Sequence, residues 1–121
     1  MKALNPQKAL ENNLRLIELQ LSRIDQEIEQ RKQLSKQILA ELKQRLEKYN
    51  EIAWHREKRS EYAKDMEKFN KLVRETQDQL LSEEVSCWSH IQRLLWEKRQ
   101  LEREKARLEL NLKLIKGETT G

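Results

Sequence analysis

Cys87 and His90 stand three residues apart, a spacing that puts a thiol and an imidazole on one face of a helix and offers two metal ligands. A structural zinc site takes four ligands in clustered pairs. Here Cys87 is the only cysteine and His55 the only other histidine, so no second pair exists. The expected roles are a buried thiol and a surface imidazole, with no metal and no cofactor. The 21 carboxylates fall into close pairs from helical spacing alone. General acid–base catalysis needs such a pair in a concave, partly dry site. A phosphate-cradling loop needs glycines, and none occurs between Gln7 and Lys116. No catalytic residue is assigned, and the chain is read as a non-enzyme.

The remaining chemistry is charge and apolar surface. Arg56, Lys58 and Arg59, followed by Lys64 and Lys68, form a basic cluster that could touch an acidic partner, a phosphate backbone or a lipid surface. Glu57, Glu61, Asp65 and Glu67 are interleaved with it, the pattern of a solvated turn. The net charge is +4. Residues 1–53 hold 10 basic and 8 acidic groups, residues 54–82 hold 7 and 6, and residues 83–121 hold 8 and 7. A nucleic-acid binder concentrates basic charge on one arm or face, and this even distribution along the chain argues against one.

What must position these residues is a pair of long helices. Charged residues are 38% of the chain, aromatics 5%, and there are two glycines and one proline. That composition belongs to long helices or coiled coils. Asn5-Pro6 is a helix opening and Lys116-Gly117 a helix stop. Between them apolar residues alternate at spacings of four and three. One set runs Leu10, Leu14, Ile17, Leu21, Ile24, Ile28, then through Arg31 and Ser35 to Ile38, Leu42, Arg45, Tyr49 and Ile52. A second runs Tyr62, Met66, Phe69, Val73, Thr76, Leu80, then after an extra step Glu84, Cys87, Ile91, Leu94, Lys98, Leu101, Lys105, Leu108, Leu112 and Ile115. Each set is a coiled-coil seam.

Two architectures fit these seams: an antiparallel two-helix coiled-coil hairpin, or one long helix in a parallel dimeric coiled coil. The beat fails over WHREKRSEY, residues 54–62. Folding there pairs positions that sum to 115: Leu14 with Leu101, Leu21 with Leu94, Ile24 with Ile91, and Arg31 with Glu84. A parallel dimer would stack Arg31, Glu84 and Lys98 on their own copies, a like-charge contact each time. The hairpin is therefore expected, as a single all-α domain over 1–121: helix 6–54, bend 55–60, helix 61–116 and polar tail 117–121.

Leu81, Val85, Trp88 and Leu95 form a second apolar stripe, turned off the seam by about 60–140° at 100° per residue. Trp96, Leu110 and Leu114 continue it farther round, and Leu16 and Leu19 point away from the first seam. A stripe with two tryptophans is the signature of a protein-binding or oligomer face. The expected partners are other proteins docking on helical faces, a second copy of the chain among them, rather than nucleic acid or membrane. No run approaches the length of a membrane span, and a lone cysteine suits a reducing compartment, so a cytoplasmic setting is expected.

A glycine-poor hairpin of this length with Tyr49, Trp54, Arg56, Glu57 and Tyr62 near its midpoint resembles the stalk family of type III secretion and flagellar export ATPases, the YscO and FliJ proteins. That resemblance implies a hairpin standing in the central pore of a hexameric ATPase. It implies no chemistry of the stalk's own, and contacts with export-gate and chaperone partners. Generic coiled-coil subunits of tethering or transport complexes share the same features. The reading is a non-catalytic assembly or adaptor subunit, with the export stalk as the specific alternative and a basic-tip nucleic-acid or membrane-surface binder as another class.

Overall fold

Every strong helix breaker lies outside residues 7–116, and the interior is rich in Leu, Glu, Lys, Gln and Arg, the residues that lose least on becoming helical. A computed structural model describes residues 5–57 and 63–117, without the side chains of 53–57 and 63–65. It consists of two helices, α1 (Pro6–Glu57) and α2 (Ala63–Ile115), paired as an all-α helical hairpin. At the start of α1 the Asn5 side-chain oxygen accepts the Gln7 N–H at 3.1 Å, and the Asn5 carbonyl accepts the Ala9 N–H at 3.0 Å. Pro6 then occupies the first helical position, where its missing N–H removes no bond.

At the other end Gly117 adopts φ +71° and donates its N–H to the Leu114 carbonyl at 3.2 Å. A side chain there would meet nothing within 4 Å, so only the backbone restricts the position. Gly117→Ala should therefore cost about 1 kcal/mol locally, the penalty for a Cβ in the left-handed region. Amide exchange in the last turn should quicken while the global unfolding midpoint stays put. Protection equal to the parent's would show that the glycine stop is unimportant.

α1 extends through Trp54, His55 and Arg56 to Glu57, three residues into the span expected to bend, and α2 starts at Ala63 rather than 61. The rest of the expected bend, residues 58–60, lies outside the described residues. In the first unit Asp25–Lys98 and Glu18–Lys105 sum to 123 rather than 115, so α1 there pairs farther toward the C-terminal end of α2, whereas Arg31–Glu83 in the second sums to 114, within one of the expected register.

By its contacts the chain divides into two compact units, Met1–Glu29 with Ile91–Gly121, and Gln30–His90. In the first, Ile24, Ile28 and Leu94 are buried together, with Ile91, Leu95 and Leu101 packed against them. Leu94 is the most enclosed, at 3% exposure. Lys98 reaches Asp25 at 2.8 Å and Lys105 reaches Glu18 at 3.8 Å. Seven residues back on α1 correspond to seven forward on α2, which fixes the pairing as antiparallel. Both lysines hold seam positions; their stems cover apolar surface while the ammonium groups swing to the acidic edge. Ile115, expected in the seam, is 49% exposed in the final turn.

In the second unit, Leu42, Cys87, Ser35 and Thr76 are buried. The seam departs from expectation at three places. Leu46 is half-buried and Arg45 exposed, because the seam takes two four-residue steps in a row, 38–42–46. Such a stutter carries the stripe on to Tyr49 and turns Ile52 outward. On α2 the seam runs Leu80, Glu83, Cys87 without the extra step expected after Leu80, so Glu84 is exposed and Glu83 enclosed.

Candidate interaction surfaces

The polar layer inside the second unit follows from that phase. Arg31 Nη1 donates to Glu83 Oε1 at 2.6 Å, with the two side chains only 13% and 15% exposed. Ser35 donates a further hydrogen bond to the same carboxylate. The Arg31 hydrogen bond, opposed in part by desolvation, holds the Glu83 carboxyl below its ordinary value, and the guanidinium is correspondingly harder to discharge. The partner expected for Arg31 was Glu84; Glu83 takes its place because the heptad continues unbroken past Leu80. Thr76 solves its own burial by donating to the Leu72 carbonyl at 2.7 Å. No buried side-chain polar atom among the described residues lacks a partner.

Outside the seam, α2 of the second unit carries Leu81, Val85 and Trp88 at i, i+4, i+7, which confines them to an arc of about 60°. They are 62%, 56% and 64% exposed. Leu34 and Leu72 are also exposed here, and periodicity did not single them out. In the first unit Leu16 and Leu19 on α1 and Trp96, Leu110 and Leu114 on α2 are each more than half exposed. Leu95, read from the sequence as part of the lateral stripe, is instead half-buried against Ile24, Ile28 and Leu94. It lies on the flank next to Leu94, close enough in angle for a flexible leucine to fold into the seam.

The first unit has unlike edges. Asp25–Lys98, Glu18–Lys105 and Glu11–Lys116 follow one edge of its seam, and the hydrogen bond and charge of Asp25 raise the Lys98 pKa. The other edge opens as a shallow groove. Ile24 and Leu101 form its apolar base, Trp96 one wall, and Gln20, Arg23, Glu97 and Gln100 its polar rim. A second apolar groove, between Ala9, Leu10 and Pro6 on one side and Asn111, Leu114 and Ile115 on the other, lies near the helix ends.

Of the basic cluster, Lys68 is exposed, whereas the side chains of Arg56, Lys58, Arg59 and Lys64 lie outside the described residues. The same holds for Trp54, Glu57 and Tyr62; Tyr49 is half-buried. Among the described residues no group of three or more His, Cys, Asp or Glu could hold a metal ion, and His90 is half-buried beside a buried Cys87. No described helix is long and apolar enough to cross a membrane.

Residues 6–115 match the model of a family of unknown function, DUF8104. No curated protein and no solved structure matches the chain.

Proposed function

The chain belongs to that family, DUF8104, and we propose that this member is a non-catalytic assembly or adaptor subunit of a larger protein complex, working in a reducing, cytoplasmic setting. The observation that carries this reading is the Leu81–Val85–Trp88 row. Three large apolar side chains, each more than half exposed, occupy one arc of α2 on a side that the seam does not use. Isolated exposed leucines are ordinary, but a tryptophan-bearing row at i, i+4, i+7 has the geometry with which one helix receives another. A two-helix hairpin has no third layer with which to cover it. The seam supports the same reading, since its enclosed Arg31 and Glu83 are paired with each other.

A photo-crosslinking residue at position 88, in the full chain produced in its source cells, tests this. A discrete protein adduct should form at 88 and be lost on Val85→Ser, while the same probe at the buried position 42 should give none. Indistinguishable patterns at 88 and 42 would remove the assembly role.

The helical-hairpin architecture also keeps the export-ATPase stalk in view as a second reading. Co-purification with a hexameric ATPase would select it over a generic adaptor, and a gene neighbourhood free of export components would eliminate it.

A further inference from the structure

Three carboxylates of α1 in the first unit meet lysines in or just past α2. Asp25, Glu18 and Glu11 are matched by Lys98, Lys105 and Lys116 along one seam edge. The arginines of α2 are left elsewhere. Taking the direction of Trp96 as zero and turning about 100° per residue, Arg99, Arg103, Arg107, Leu110 and Leu114 all fall within about 60° of it. Glu97, Glu102, Glu104 and Glu109, the acidic residues of α2 in this unit, all lie about 80° or more away. No carboxylate therefore lies within about 60° of Trp96 on the outer face of α2 here, and Glu104 stands at its rim, sharing a shallow pocket with Gln100, Arg103 and Arg107. Trp96, Arg99, Arg103, Arg107, Leu110 and Leu114 are all exposed, and no ion pair among the described residues engages Arg99, Arg103 or Arg107. The outer face of α2 in the second unit is different, with Glu67 and Asp78 alongside Lys71 and Arg74.

We propose that this face docks an acidic amphipathic helix of a partner protein, apolar at both ends and carboxylate-rich between them. The inference rests on the assembly role above and names the chemistry of a partner. Trp96 and Leu110 are separated by about 21 Å along the helix, with the arginines between them. Charge complementarity calls for carboxylates opposite the middle of the row, where each guanidinium can grip one through two parallel hydrogen bonds. The two ends call for apolar cover: Trp96 is 57% exposed, Leu110 58% and Leu114 63%. A phosphate backbone would satisfy the arginines and leave those leucines wet. Acyl chains would cover the leucines only by drawing three guanidinium groups in with them. An acidic helix with apolar ends meets both requirements, and tryptophan and arginine are among the residues enriched where interface energy concentrates.

The test uses the full chain with Trp54→Phe and Trp88→Phe, so that Trp96 alone fluoresces. Its probe is a synthetic helical peptide bearing leucines fourteen residues apart and glutamates between them. Binding should shift the Trp96 emission, weaken with added salt, and fall at least tenfold on Arg103→Glu with Arg107→Glu, with helicity unchanged. That charge-reversed variant should in turn bind a peptide whose central glutamates are lysines. No binding of the acidic peptide, or binding that survives charge reversal, overturns the proposal. So does tighter association with duplex DNA or phosphatidylserine vesicles under the same conditions. If the peptide fails while the probe at position 88 still captures a protein, the acidic-helix assignment falls and the assembly role stands. If both fail, both fall.

Discussion

Leu94→Ala should lower the folding stability by about 3 kcal/mol, the usual loss for a leucine truncated in a core that cannot fully collapse into the space. Leu94 is the most enclosed residue of the first unit and the one that packs on both Ile24 and Ile28. A two-helix unit has few other apolar contacts to take up the slack. Native domains hold only about 5–15 kcal/mol in total, so the unfolding midpoint should drop by roughly 10 °C. Val85→Ser with Trp88→Ala removes more apolar surface but removes it from solvent, at positions 56% and 64% exposed. That pair should change stability by no more than about 0.5 kcal/mol. Chemical denaturation of both variants at a concentration where the protein sediments as one species makes the comparison. If the outer pair costs as much as Leu94, the row on α2 is part of the folding core and its claim to a partner disappears.

The seams were legible because periodicity is a property of residue type alone. Ile17, Ile24, Ile28, Leu42, Thr76, Cys87 and Leu94 are all enclosed where the beat puts them. The phase of the beat was harder to read at the stutters, where two candidate residues stand side by side. The four-three spacing puts Arg45 and Glu84 in the seam, and packing encloses the neighbours Leu46 and Glu83 instead. A glutamate can be enclosed only where a cation waits for it, so Glu83 is settled by Arg31 across the seam, which no local pattern shows. Leu95 failed for a related reason. An ideal wheel assigns it an angle, but its side chain is flexible enough to fold into the Leu94 cluster. The arginine face does not show in totals taken along the chain. Summing along segments gives near-neutral totals, whereas the separation lies around α2 and emerges once Leu94, Leu101 and Leu108 define which side is inward.

Arg31 and Glu83 carry the second large effect. Glu83→Leu leaves a guanidinium mostly enclosed and without its acceptor, and Arg31→Leu leaves a carboxylate with only the Ser35 hydroxyl. Each single change should cost about 2–3 kcal/mol, because the stranded charge has lost its compensation as well as its bond. Arg31→Leu with Glu83→Leu together should recover most of that loss, since an apolar pair of similar size suits a seam at least as well. A coupling energy between the two sites near zero, instead of the roughly 0.5–3 kcal/mol expected of contacting residues, would show that the bridge is incidental. The pair also has a pH signature. Glu83 is held below the ordinary glutamate value of 4.5, chiefly by the Arg31 hydrogen bond. A carboxylate with a depressed native pKa contributes stability above its unfolded pKa and loses it as pH falls through the native one. The advantage of the parent over Glu83→Gln should therefore be full at neutral pH, begin to shrink near pH 4.5 and vanish in stronger acid. Because the Arg31→Leu, Glu83→Leu chain has no such group, its stability should fall less steeply over that window. Equal acid slopes for it and the parent would mean that other carboxylates govern acid unfolding and that the seam bridge adds no pH dependence. A recovered double variant that also begins to self-associate would assign the bridge a second role. It would be holding the two helices of one chain in register against pairing with those of another, as a polar group placed in a coiled-coil seam can do.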